Sequence, residues 1–219
     1  LFRRLYGKDF PINAIGVFNG SGACWLYKEI KKLQDEGITP NADQLYEIHE
    51  RAKQEVYEEV KVRTGVELDP EKLTLWAIRR LVEYKSQYPM LRLLVHLLVA
   101  DRQHYFTREE LRQVWLRDIP ELRKEFHREL IETTLDRMFK GRDKIHGLGM
   151  QVVVGGPEYM PEWVREFKRW SQLEDLKGRF IYVPHSDAKL LKMQAIGAEL
   201  CVNMPRDLEE ACGTSDQRT

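Results

Sequence analysis

Arg79, Arg80 and Lys85 stand close together directly after the apolar run "KLTLWAI" at 72–78, and Glu209 and Glu210 lead into the turn "ACGTS" at 211–215. Such a set suits an anion held beside a polyol. A guanidinium offers two parallel N–H groups to phosphate oxygens, a lysine adds a point charge, and a carboxylate accepts from sugar hydroxyls. Glycine turns add exposed backbone N–H groups, here Gly20 and Gly22 in "VFNGSGACW", Gly155 and Gly156 in "GGPEY", and Gly213. His185 in "PHSD" and Cys212 are weaker pointers, because no His/Asn set accompanies the thiol; a loop residue and a small packing residue describe them as well. Plain alternatives exist for the others too: cations after a strand are commonly solvated, and glycine pairs commonly mark turns. Residue types alone therefore name a candidate phosphate or sugar site and no reaction.

Elements of a parallel α/β sheet would bring these groups together. Four runs, "KLTLWAI" (72–78), "GMQVVVGG" (149–156), "RFIYVP" (179–184) and "AELCVNMP" (198–205), are rich in Val, Ile and Leu without strict alternation. That is the pattern of strands covered on both faces. Helix-periodic segments, "PEWVREFKRWSQLEDL" and "DAKLLKMQAIG", separate the last three. The order predicts right-handed crossovers and a Rossmann-like, doubly wound parallel sheet. Upstream, Leu45, Ile48, Ala52, Val56 and Val60 recur at helical spacing, with Asn41 as the entry and Gly65 as the exit of a helix. The stretch 87–147 is nearly all helical in pattern and far longer than a crossover needs. It contains a capping-box signature at Thr107 and Glu110 and reads as a helical insertion in the α/β core.

In an open parallel sheet, ligands bind beyond the carboxyl ends of the strands. The cations, the glycine turns, "PHSD" and the loop after 205 all fall at those ends.

Composition narrows the class. Of 219 residues, 42% are hydrophobic and 32% charged, enough apolar material for a substantial core. Lys+Arg and Asp+Glu are both 35, and the resulting zero formal charge argues against a nucleic-acid partner. The longest apolar run, "MLRLLVHLLVA" at 90–100, carries Arg92 and His96 and is too short for a bilayer, so no membrane association is expected. Three scattered cysteines, Cys24, Cys201 and Cys212, form neither a disulfide framework nor a zinc set, and a reducing cytoplasm is the expected home. The chain starts at Leu1 and stops at Thr219 inside a chemically loaded loop, and both ends read as interruptions of a longer domain.

The order of motifs resembles the carboxy-terminal domain of the α-glucan (glycogen or maltodextrin) phosphorylases, enzymes of the two-Rossmann-domain GT-B architecture. "RAKQEVYEEVKVRTGVELDPEKLTLWAIRRLVEYK" is similar to the family's helix, connector, strand and Arg-Arg-x-x-x-Tyr-Lys segment. "GMQVVVGG" resembles its next strand and glycine turn. "RFIYVPHSDAKLLKMQAIGAELCVNMPRDLEEACGTS" resembles its strand, loop, helix and Asn-x-Pro-Arg…Glu-Ala-Ser-Gly-Thr motif; "VFNGSGACW" matches an upstream loop more loosely. The resemblance implies that residues 1–219 are part of that domain, with 87–147 inserted. It further implies that Arg80 and Lys85 bind substrate and cofactor phosphates. Glu210, with the amides of Ala211, Cys212 and Gly213, would hold the transferred glucose; Asn19 and Gly20 would contact the sugar; Thr214 and Ser215 would line the cofactor phosphate. The implied reaction is phosphorolysis of α-1,4-glucan to glucose 1-phosphate with retained configuration, the implied cofactor pyridoxal phosphate, and the implied full-length form a homodimer.

Three positions depart from the family pattern. Arg218 stands where the family has the lysine that forms a Schiff base with pyridoxal phosphate, and an arginine, always protonated, forms no stable imine. Ser86 replaces the arginine after the Tyr-Lys pair, and "GGPEYM" lacks the lysine expected after the second strand. The expectation is a phosphorylase-like enzyme with non-covalent or absent cofactor, inactive as this piece alone. The alternatives are a related retaining GT-B transferase using a nucleotide sugar, whose diphosphate would face Arg218, and a sugar-binding homologue without turnover.

Overall fold

A computed structural model describes residues 23–82, 87–119 and 128–201. Helix α1 (Ala23–Asp35) is followed by the long α2 (Ala42–Thr64), strand β1 (Thr74–Ile78) and helix α3 (Gln87–Val99). Then come β2 (Tyr105–Phe106), α4 (Arg108–Asp118), α5 (Arg128–Met138), β3 (Ile145–His146) and β4 (Gln151–Gly155). Helix α6 (Pro161–Trp170), β5 (Phe180–Val183), α7 (Ala188–Gly197) and β6 (Leu200–Cys201) complete the described order. No helix among the described residues is long and apolar enough to cross a membrane.

Helix α2 shows how local sequence sets an element. Asn41 accepts from the Gln44 amide at 2.9 Å while the Gln44 side chain accepts from the Asn41 amide at 3.0 Å, a reciprocal cap. At the other end Gly65 adopts φ 72° and donates its N–H to Lys61, a left-handed exit that glycine makes without steric cost. Between the caps, Ile48, Ala52, Val56 and Val60 are buried at the expected spacing, and Leu45 is half-buried. Asn41→Ala removes one half of the reciprocal cap and should destabilise the protein by about 1 kcal/mol. Urea unfolding checks this, and a midpoint unchanged within error would contradict it.

The four strands form one parallel sheet in the order β5-β4-β1-β6. β1 pairs with β4 from Thr74↔Gln151 to Ile78↔Gly155, β4 with β5 from Val152↔Phe180, and β1 with β6 at Leu75↔Leu200 and Trp76↔Cys201. The chain lays β4 and β5 to one side of β1, then crosses to place β6 on the other. The strand order thus reverses at β1, which makes the gap between β1 and β6 a topological switch point. The α/β class and the parallel, Rossmann-like sheet expected from the sequence are what the structure shows.

Alternation sorts the strand side chains onto two faces. Trp76, Ile78, Val153, Ile181 and Val183 face a core made with α2 and α7. Ala77, Val152, Val154, Phe180 and Tyr182 face a larger one made with α3 and α6. The stretch 87–147 belongs to this larger core, contributing Leu91, Val95, Leu111, Trp115 and Leu135, all 1% exposed or less. Each such side chain stabilises by roughly 1.5–3 kcal/mol on burial. Helix α3 packs against β4 as the crossover helix, and α4 and α5 extend the layer outward. One feature was not foreseen: β2 and β3 pair antiparallel, Tyr105↔His146 and Phe106↔Ile145, inside the stretch read as helical. Two residues per strand are too few to show an alternation.

Candidate functional site

The carboxyl edge of the sheet gathers the turns that follow β1, β4 and β5. Arg79 is buried and Arg80 exposed at the end of β1. Ladder pairing runs on past the strands proper: the Arg79 amide donates to Gly155 O at 3.0 Å, the Leu81 amide to Pro157 O at 3.1 Å, and Leu81 bridges Glu158 in parallel. The Val82 amide turns back on Arg80 O at 3.0 Å. This closure fixes the backbone on either side of Arg80 and leaves its side chain at the edge next to the switch point.

Gly156 makes that closure geometrically feasible. Its φ is 131°, and a Cβ there would lie 1.7 Å from Arg79 O and 2.4 Å from Arg79 C. Only a residue without a side chain lets the β4 turn come this near the end of β1. Beyond it, the Tyr182 hydroxyl donates to the Glu158 carboxylate. Burial, then the Glu158 hydrogen bond and charge, push the Tyr182 hydroxyl well above its usual range, so it remains a donor.

After β5 the chain turns sharply. His185 is exposed with φ 50°, a left-handed conformation uncommon for a non-glycine residue. Ser186 is buried and donates to Val183 O at 3.0 Å, and Asp187 caps α7 by accepting from the Leu190 amide at 3.0 Å. Arg63, from the last turn of α2, reaches across to this turn. It donates to His185 O at 3.2 Å and to both oxygens of Asp187 at 3.1 Å. Its Nε donates to Glu59 at 2.7 Å, and Glu59 also accepts from Lys189 at 2.5 Å. The Leu190 amide first, and the Arg63 cation after it, hold the Asp187 carboxyl below the usual carboxylate range.

Of the residues singled out from the sequence, the structure places Arg80, Gly155, Gly156 and His185 on this one edge. Asn19, Gly20, Lys85, Glu210, Ala211, Cys212, Gly213, Thr214, Ser215 and Arg218 lie outside the described residues. Sequence reasoning passed over Arg63 and the Glu158–Tyr182 pair. Arg63 carried no signal, since a cation in the last turn of a charged helix reads as solvated.

A Schiff-base cofactor does not fit the residues present. None of the three described turns (79–82, 155–158 and 184–187) contains a lysine. Lys189, next along, is engaged by Glu59, and position 218 is a guanidinium. Arg80 gives the edge a cation for an anion, and among the described residues its turns supply no amine for an imine.

Two further polar clusters lie away from the edge. At the amino end, Thr74 takes hydrogen bonds with Tyr57 at 2.6 Å and Gln151 at 3.2 Å, and Lys53 pairs with Glu199 at 3.0 Å while also donating to Pro70 O. These groups are mutually satisfied and tie α2 to the starts of β1 and β6. Beneath α4, buried His96 and Asp118 approach to 3.0 Å, and Arg117 bridges Asp118 at 2.7 Å and Asp175 at 2.6 Å. The ligand atoms of His96, Asp118 and Asp175 lie within 4.8 Å of one another, a spacing that a metal could use. Arg117 already supplies the positive charge between the two carboxylates, so the cluster works as an ion-pair junction. Burial raises the Asp118 carboxyl, but the hydrogen bonds from His96 and Arg117 outweigh it and hold the group well below the carboxylate range.

The chain matches no protein-family model and no curated protein, so the site is read from its own residues.

Proposed function

We propose that this chain is part of an α-glucan phosphorylase-like retaining glycosyltransferase, the carboxy-terminal half of a GT-B fold, converting α-1,4-glucan and phosphate to glucose 1-phosphate. One observation carries the reading. The exposed Arg80 stands at the carboxyl end of β1, beside the point where the strand order reverses, where open parallel sheets collect their ligands. Two of the segments that resemble the family meet at this same edge, the Arg-Arg segment after β1 and the glycine turn after β4.

The chemistry asks for charge stabilisation at one point. A phosphate oxygen forms the new bond to the anomeric carbon, the glycosidic C–O bond breaks, and the leaving hydroxyl takes the proton that the phosphate gives up. Arg80 would offset the negative charge of the phosphate with two N–H groups, carried on a backbone that the closed turn holds. Glu210 and the amides that follow it would orient the glucose. Among the described residues the edge offers pyridoxal phosphate no amine for covalent attachment. The reading carries with it a homodimeric, cytoplasmic full-length protein.

The test uses the full-length protein with maltodextrin and inorganic phosphate, and measures glucose 1-phosphate. Release is expected; its absence both with and without added pyridoxal phosphate would sink the proposal. Arg218 favours one second reading, a transferase whose nucleotide-sugar diphosphate meets that cation. Sugar transfer from a nucleotide donor, independent of phosphate, together with a donor-induced rise in melting temperature, would select it instead.

A further inference from the structure

We infer that Arg63, a residue of α2 that lies behind the ligand edge, is a positioning residue for the site. The inference rests on the proposed phosphorolysis and names a part of its machinery that no sequence motif marks. Arg63 commits its whole guanidinium to one task. Nη1 donates to His185 O, Nη2 donates to both oxygens of Asp187, and Nε is anchored on Glu59 in the preceding turn of its own helix. The side chain is only 17% exposed. Its targets are the two residues that shape the β5–α7 turn: His185, held at φ 50°, and Asp187, which caps α7. A non-glycine residue leaves the left-handed region unless its surroundings over-determine it. Here the carbonyl on one side of the bend and the carboxylate beyond it are gripped by the same planar cation.

The held turn is one wall of the carboxyl edge. Ser186, between the two gripped residues, is buried with its Oγ on Val183 O, and a Cβ on Gly155 would meet that oxygen at 2.5 Å. The β5–α7 turn therefore seats directly on the β4 turn, which in turn closes on Arg79 beside Arg80. Contacts pass from Arg63 through the β5–α7 and β4 turns to the backbone that aims the phosphate-binding cation. A shift of this wall would alter how the edge meets a phosphate while leaving both cores intact, since Arg63 belongs to neither apolar cluster. Glu59, shared by Arg63 and Lys189, adds a second tie between α2 and the first turn of α7. Lysine at 63 could keep the charge but not the fork, so it should restore only part of the effect.

The experiment compares the full-length wild type with Arg63→Ala and Arg63→Lys in glucose 1-phosphate release, at saturating maltodextrin and varied inorganic phosphate. Arg63→Ala should raise the KM for phosphate about tenfold with kcat changed less than about threefold, and Arg63→Lys should fall between. Amide hydrogen exchange at 185–187 should quicken in Arg63→Ala while exchange in β1 and β4 stays as in the wild type. A purely structural role would lower the active fraction, and so kcat, without moving KM. Turnover in the wild type with an unchanged KM in Arg63→Ala overturns the positioning role alone. No turnover in the wild type overturns the phosphorolysis reading and this inference together.

Discussion

Gly156→Ala should lower the melting temperature by roughly 10 °C, because the new methyl has nowhere to go. Two costs add. An alanine at φ 131° occupies backbone space that side chains rarely adopt, at about 1–3 kcal/mol. The Cβ would also sit 1.7 Å from a main-chain oxygen, Arg79 O, which no rotamer change can relieve. Overpacking of this kind costs about 1–3 kcal/mol more. The chain can escape only by lifting the β4 turn off β1, which breaks the Arg79–Gly155 and Leu81–Pro157 bonds. Gly65→Ala is the matched control: its φ is 72° but nothing lies within 4 Å of the added methyl. It should cost about 1–2 kcal/mol. Differential scanning calorimetry on both variants separates the two cases, and equal losses would mean that the close approach at Arg79 is unimportant. Under the phosphorolysis proposal Gly156→Ala should also weaken phosphate binding, since the escape moves the segment that carries Arg80.

The second large effect belongs to Asp118→Asn. Asp118 is 4% exposed and takes both the His96 ring and the Arg117 fork, while its own carbonyl accepts from Arg169. Replacing the carboxylate removes a charged acceptor from both partners, at about 1.5–3 kcal/mol. Arg117 is half-exposed and can turn to Asp175 and water, so the loss falls mainly on His96, whose side chain is 5% exposed. The pH dependence has a definite sign. A carboxyl held low in the folded protein contributes stability that is fully present above its ordinary value of 3.8 and drains away as pH falls toward the folded value. Between pH 7 and pH 3 the wild type should lose about 1 kcal/mol from this group, and Asp118→Asn should lose none of it. Urea titrations at the two pH values would show the gap between the proteins narrowing in acid. A gap that widens, or a variant as stable as the wild type at pH 7, would refute the role assigned to the pair.

The sequence disclosed the frame more readily than the joints. Apolar runs at 149–156 and 179–184 read as strands buried on both faces, and Asn41 and Gly65 marked the ends of α2 by cap chemistry that acts over one turn. Periodicity is local, so local elements were legible. The strand order was not legible: crossover handedness fixes the hand of each connection but not the side of β1 on which the next strand pairs, so the switch point at β1 is visible only in the structure. The groups that set the edge were not legible for a physical reason. Arg63 and Asp187 lie far apart in sequence, and an ion pair leaves no periodic trace. Gly156 could be read as a turn, but its demand for close approach depends on Arg79, which arrives from the other strand. His96 reads in sequence as a polar interruption of an apolar run, and its partner Asp118 comes from a different helix. The place of Arg80 at the carboxyl edge was legible because a position after a strand is itself a topological statement.

The long excursion between β1 and β4 has a thermodynamic consequence. Residues 79–150 must close into a loop before the two central strands can pair, whereas β4 and β5 are joined through 156–179. Closure entropy grows only with the logarithm of length, so the longer connection costs about 1 kcal/mol more than the shorter one. Burial of Trp115, Leu111 and Leu135 in the shared core outweighs that cost several times over. Among the described residues the chain therefore carries four elements beyond the crossover helix between its two middle strands with a net gain, because they add to the core that covers the very sheet whose pairing they delay.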